Sequence, residues 1–205
     1  MTKEFWDNRF NTDEFVFGTE ASEFVKKHAN YLTPGSKIFM PGDGEGRNSC
    51  YLASLGHHVY ATDFSEVAIE KAKKLCAEKN SDVTFEVMNI FDWEPKEEEY
   101  DAIIAIFIQF APPEERSKLF AKFKKALKPD GLIMLHGYSP KQLEFLTGGP
   151  KEIENLYTKD LLRHDFAEFD MLQLEEYDAH LEEGHAHKGP SALIDMVARK
   201  DDWQY

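Results

Sequence analysis

The sequence predicts an α/β fold: a doubly wound, mostly parallel sheet that ends in an antiparallel pair of strands. Three observations predict it. Strand-like and helix-like runs alternate throughout residues 37–136, and such alternation means right-handed crossover units with helices on both faces of a parallel sheet. The stretch "DAIIAIFI", Asp101 to Ile108, is nearly all apolar, as a strand buried on both faces must be. Towards the end the pattern changes. "MLQLEEYDAHLEE" and "SALIDMVARK" are two strand-like runs joined by the loop "GHAHKGP", an arrangement most simply antiparallel.

The elements follow in order. In "TEASEFVKKHANYL" Thr19 is an N-cap candidate, and Phe24 or Val25, His28 and Leu32 recur at helical spacing. "TPGS" breaks the chain, and "KIFM" (Lys37 to Met40) reads as a short buried strand. A helix is expected from about Glu45 to Leu55, with Gly56 as its stop. "HHVYATD" is a second strand ending at Asp63. Ser65 caps a helix that carries Ile69, Ala72 and Leu75 on one face, and "VTFEVMN" is a third strand. After the apolar fourth strand, the two prolines of "PPEERSKLFAKFKKAL" suit a helix start. "KPDG" reads as a turn and "LIMLHG" as a fifth strand. The first C-terminal run changes phase, which predicts a bulge near Glu175–Glu176.

With 205 residues and 42% hydrophobic residues the chain suits one globular domain. It has no apolar run long enough to span a membrane, and "MTKEFWDNRF" lacks the apolar core of a secretory signal. The expected location is the cytoplasm. Cys50 and Cys76 sit in helical patterns without metal-type spacing, and no disulfide is expected from them. The net charge of −14 argues against a nucleic-acid partner, because polyanions are bound by clustered Lys and Arg. Lys122, Lys124, Lys125 and Lys128 fall on one helix and read as its solvated face.

"IFMPGDGEGRNSCYLA" (Ile38 to Ala53) carries the chemistry. Glycines at 42, 44 and 46 follow a strand and lead into a helix. Glycine there lets the backbone approach a ligand and adopt positive φ, at the rim where this fold binds ligands. Asp63 ends the next strand, 21 residues after Gly42, a spacing suited to a carboxylate that accepts from both ribose hydroxyls. Together they predict an adenosine site. A dinucleotide fingerprint wants a third small residue where Arg47 stands, and Gly46 comes one position early, which weakens the pyrophosphate reading.

At these residues the sequence resembles the class I S-adenosylmethionine-dependent methyltransferases, most closely the tellurite-resistance and thiopurine methyltransferase-like branch. "FWDNRF…FVFGTE", "PGDGEGRNSCYLA", "YATDFS", "VMNIFDW", "YDAIIAIFIQF", "LKPDGLIMLHGY", "TGGP" and "EGHAHKGP…VARK" carry the resemblance nearly end to end. It implies a Rossmann-like seven-stranded sheet with an antiparallel C-terminal strand, in a single domain over 1–205. Residues 1–36 would be an N-terminal lid and helix, 37–136 the cofactor-binding core, and 137–205 a substrate loop with the antiparallel strands. It also implies S-adenosyl-L-methionine as cofactor, with Gly42, Asp43 and Gly44 lining its methionine part. Asp63 would hold the ribose, Phe64 would flank the adenine, Asn89 and Ile90 would sit at the adenine edge, and Ile106 would line the cofactor. Met40 stands where the family often has an acid, and Asp43 or Glu45 is the available substitute.

Methyl transfer from a sulfonium needs mostly proximity and desolvation, so the lack of an evident triad is expected, and no catalytic base is assigned. Trp6 and Arg9 lie in an aromatic segment that reads either as a lid over the site or as an arm packed on the core. Gln109, Tyr138, His185 and His187 are substrate-side candidates. "HLEEGHAHKG" suggests a polar loop before a metal site, and no metal is expected. "IQFAPP" does not match the motif of nucleic-acid amino methylation. The expected function is methyl transfer to a small molecule. A non-catalytic cofactor-binding sensor or partner subunit is the alternative, and an NAD-dependent reductase a third reading.

Overall fold

The structure, a computed structural model, describes residues 2–201. Its strands form one seven-stranded sheet in the order β3-β2-β1-β4-β5-β7-β6. Those strands are β1 (Lys37–Pro41), β2 (His58–Asp63), β3 (Val83–Val87), β4 (Tyr100–Ile106), β5 (Leu127–Tyr138), β6 (Phe169–Glu183) and β7 (His187–Lys200). The β1–β2, β2–β3 and β4–β5 pairings are parallel, whereas β7 runs antiparallel to β5. The predicted fold class is the observed one. Among the described residues no helix is long and apolar enough to cross a membrane.

The chain divides into two compact units. One runs up to Trp93 and adds Glu182–Lys188; the other holds Glu94–Leu181 and the residues from Gly189 on. In the first unit helices α1 (Lys3–Phe10) and α2 (Glu23–His28) precede β1, and α3 (Arg47–Ser54) and α4 (Glu66–Glu78) follow β1 and β2. The cap of α2 is Ser22, not Thr19: the Val25 N–H donates to Ser22 Oγ (3.3 Å), while the Ser22 N–H donates to Asn48 Oδ1 (2.9 Å). Helix α3 starts at Arg47 instead of Glu45, because Gly46 is left-handed (φ 83°) and closely packed on α4. A Cβ at Gly46 would lie 2.7 Å from that of Ala72. Ser65 caps α4 as expected, accepting from the Ala68 N–H at 3.2 Å.

One expectation is overturned here. Cys50 and Cys76 are disulfide-bonded, with Cα atoms 5.2 Å apart. The bond ties α3 to α4 within a buried cluster that includes Leu75. Two cysteines 26 residues apart carry no spacing signal; only the packing of the two helices brings them together. The cysteines therefore lend no support to a reducing, cytoplasmic location.

In the second unit α5 (Pro113–Ala126) packs Leu119, Phe120, Phe123 and Ala126 inward. The expected turn "KPDG" is an excursion inside β5. Tyr100 pairs with Leu127 and Ala102 with Leu132, so residues 128–131 loop out, with Asp130 at φ 59°. Two short helices that no periodicity announced, α6 (Gln142–Phe145) and α7 (Lys159–Asp165), fill the stretch before β6.

Candidate active site

The first unit holds the glycine turn. Gly42 and Gly44 have φ of 61° and 64°, the region closed to most side chains. The Gly44 N–H donates to Asp63 Oδ2 (2.9 Å) and the Ser65 N–H to Asp63 Oδ1 (2.9 Å). One buried carboxylate thus joins the ends of β1 and β2. Each oxygen keeps a further acceptor site for hydroxyl donors. The Met88 N–H donates to the Asp63 carbonyl (2.8 Å), which brings the end of β3 alongside. Asn89 and Ile90 follow there. Asn89 caps a 3₁₀ turn, its Oδ1 accepting from the Phe91 N–H and its Nδ2 donating to Asp92, while Ile90 is buried. Phe64 is half-buried beside Asp63.

Asp43 is the most telling group. Ser49 Oγ donates to its Oδ2 at 2.5 Å, but its buried Oδ1 has no hydrogen-bond partner. Burial, reinforced by the nearby Asp63 charge, pushes Asp43 up to about 7 against the hold of Ser49. Burial likewise pushes Asp63 up to about 6, against its bonds from main-chain N–H groups. Glu45, the other candidate to replace the missing acid at Met40, is engaged elsewhere. It pairs with Lys71 (2.5 Å) and accepts from the Phe17 N–H (3.2 Å). Two desolvated carboxylates, one with an unsatisfied oxygen, beside a glycine backbone suit a ligand that brings positive charge and hydroxyl donors.

The titration has a consequence for stability. Both folded-state values lie above the usual carboxylate value of 3.8. Between about pH 4 and pH 7 the folded chain therefore holds protons that the unfolded chain has released, and stability falls as pH rises through that window. Asp43→Asn should remove most of its share, of order 2 kcal/mol after allowance for partial exposure. Denaturant melts of wild type and variant at pH 5 and pH 8 check this; equal pH slopes would refute it.

The aromatic arm lies on the same turn. A Cβ at Gly44 would sit 3.6 Å from the Phe10 ring. Trp6 stacks on Phe10, and the Arg9 guanidinium lies over both Trp6 and Phe17. The histidine loop joins this arm. Exposed His185 pairs with Glu14, and His187 lies 4.6 Å from the Phe17 ring, centroid to centroid. Among the described residues no group of histidine, cysteine and carboxylate side chains is arranged to hold a metal.

The second unit holds the other candidates. Ile106 ends β4, half-buried, in register with His136. Gln109 bonds to the main chain. Its Nε2 donates to the Tyr138 and Asn155 carbonyls, and its Oε1 accepts from the Tyr138 N–H. This buried amide clamps the end of β5. Tyr138 is buried with Leu156, Leu181 and Leu193, its ring beside Phe107. Sequence reasoning missed Phe107, a non-glycine residue at φ 54° just past β4, and the His136–Asp195 pair (2.6 Å), whose carboxylate also accepts from the Tyr177 hydroxyl (3.1 Å). Apolar neighbours of His136 in "LIMLHGY" masked it as a strand position.

Residues 38–131 match the family model described as a methyltransferase domain. Over that stretch the chain is similar to methyltransferase domains. It is 26% identical over 200 residues to the thiopurine S-methyltransferase of Shewanella woodyi, covering 86% of this chain and 88% of that one. Its fold is that of two solved structures. One is a protein from work on the conversion of a disulfide bond into a thioacetal group during echinomycin biosynthesis (TM-score 0.81, 15% identity, 98% of this chain and 93% of that one). The other is TehB from Haemophilus influenzae (TM-score 0.72, 19% identity, 97% of this chain and 67% of that one).

Proposed function

We propose that this chain is an S-adenosylmethionine-dependent methyltransferase acting on a small-molecule acceptor, with the cofactor held by the glycine turn, Asp43 and Asp63. The carrying observation is the buried, unsatisfied Asp43 Oδ1 beside the left-handed Gly44. When bound, S-adenosylmethionine supplies an activated methyl group on a sulfonium. Gly42, Asp43 and Gly44 line its methionine part, Asp63 accepts from the ribose hydroxyls, and Phe64, Asn89 and Ile90 flank the adenine. Trp6 and Phe10 exclude water from the turn, which strengthens the attraction between carboxylate and cation.

The net charge of −14 and the absence of clustered basic residues in the sequence support a small acceptor over nucleic acid. A mass-spectrometric screen tests this. The expected result is a mass gain of one methyl group on a member of a thiol, amine or metalloid-oxyanion panel. Methylation of protein or RNA alone would overturn it.

Asp63→Ala is expected to weaken cofactor binding by roughly 1.5–3 kcal/mol, the scale for hydrogen bonds to a charged group. Calorimetry on the folded variant reads the loss; unchanged affinity would remove the ribose assignment.

A further inference from the structure

The "GHAHKG" loop, which the methyl-transfer reading leaves without a task, is fastened to the N-terminal arm. We propose that the tip of the β6–β7 hairpin is a clasp, in which Gly184 and Glu183 position the arm over the glycine turn and so hold the cofactor. The proposal rests on the cofactor reading above.

Three sets of contacts carry it. The first is main chain on main chain: the His185 and Ala186 N–H groups both donate to the Val16 carbonyl, at 2.8 and 3.3 Å. Gly184 sits so close that a Cβ there would lie 2.4 Å from the Val16 oxygen, 2.5 Å from the Gly18 nitrogen and 2.6 Å from the Phe17 carbonyl carbon. At φ 69° it also adopts a backbone that side chains disfavour. No side chain fits there unless the arm moves away.

The second is an ion pair. Glu183 Oε2 meets Arg47 Nη2 at 2.7 Å, and both side chains are largely buried. Arg47 opens α3, directly after the glycine turn. The tip is therefore tied at one end to the arm and at the other to the turn's own helix.

The third set fixes the arm from beneath. Lys71 Nζ donates to the Phe10, Thr12 and Glu14 carbonyls while pairing with Glu45. Glu45 in turn accepts from the Phe17 N–H. Residues 10–17 thus have a fixed lower seat on Lys71 and Glu45 and an upper seat on the tip. Phe10, which faces Gly44, lies at one end of that span. Releasing the tip frees the upper seat alone, which leaves the core of the unit in place but lets the arm lift.

A kinetic cycle in the full-length chain tests the clasp. The quantity read is the release rate of S-adenosylhomocysteine, by stopped-flow displacement, in wild type, Gly184→Ala, Phe10→Ala and the double variant. Gly184→Ala is expected to speed release by about tenfold with little change in association, the usual signature of a lost closing contact. The double variant should release no faster than Phe10→Ala alone, since both act through one element. Glu183→Gln, which leaves the tip backbone unchanged, should give a smaller rise, and it stands in if Gly184→Ala does not fold. Unchanged release in Gly184→Ala, or effects that multiply in the double variant, would show that the tip acts independently of the arm and overturn the clasp. A wild-type chain that binds no S-adenosylhomocysteine would instead sink the cofactor reading beneath it.

Discussion

Replacing Gly44 with valine is expected to abolish cofactor binding. Gly44 has φ 64°, where a β-branched residue meets its own carbonyl, at a cost of roughly 1–2 kcal/mol. That cost alone weakens the fold without destroying it. The larger effect is local. A Cβ would already touch the Phe10 ring at 3.6 Å, so the two further methyl groups must displace either the ring or the ligand. They also disturb the Gly44 N–H bond that orients Asp63. The combined loss should exceed about 100-fold in affinity, near 3 kcal/mol. Gly35→Val is the control. Gly35 has φ 76° and nothing within 4 Å of its notional Cβ, so valine there carries the backbone strain without touching the turn. The control should lose stability and keep binding, as read by calorimetry and thermal melts. Normal binding by Gly44→Val would mean that the loop is a plain turn.

The disulfide carries the other large effect. Closing the loop between Cys50 and Cys76, 26 residues apart, restricts the unfolded chain by about 3.5 kcal/mol on the chain-entropy account. Cys50→Ala and Cys76→Ala should each lose about that much, and their melts should be indifferent to reductant. The wild type should fall to their level once reduced and alkylated. Both sulfurs are buried, so reduction is expected to need partial unfolding. Two thiols reacting readily in the native wild type would refute the bond.

What the sequence disclosed and what it hid follow from the range of the forces involved. The glycine turn and Asp63 were legible because their chemistry is local: a strand, a turn and a fixed spacing. Ser65 as a cap was legible for the same reason. The bond between Cys50 and Cys76 was not, since it depends on α3 lying against α4. Gln109 looked available because it follows a strand end. Phe107, at φ 54°, turns the chain so that the Gln109 amide meets the main chain of β5 instead. The histidine loop shares a unit with the glycine turn. Its grip on residues 14–18 was invisible, because that segment has no periodicity to announce a partner.

The central claim is that the turn at Gly42–Gly44 and Asp63 binds S-adenosylmethionine. The most direct test is calorimetric titration of the full-length chain with S-adenosylmethionine and, separately, with NAD, at pH 8 and again at pH 5.5. The account predicts saturable binding of S-adenosylmethionine alone, weakening as pH falls, because Asp43 and Asp63 take up protons near pH 7 and 6 and lose the charge that attracts the cation. Binding of NAD in its place, or no binding of S-adenosylmethionine at either pH, would contradict it.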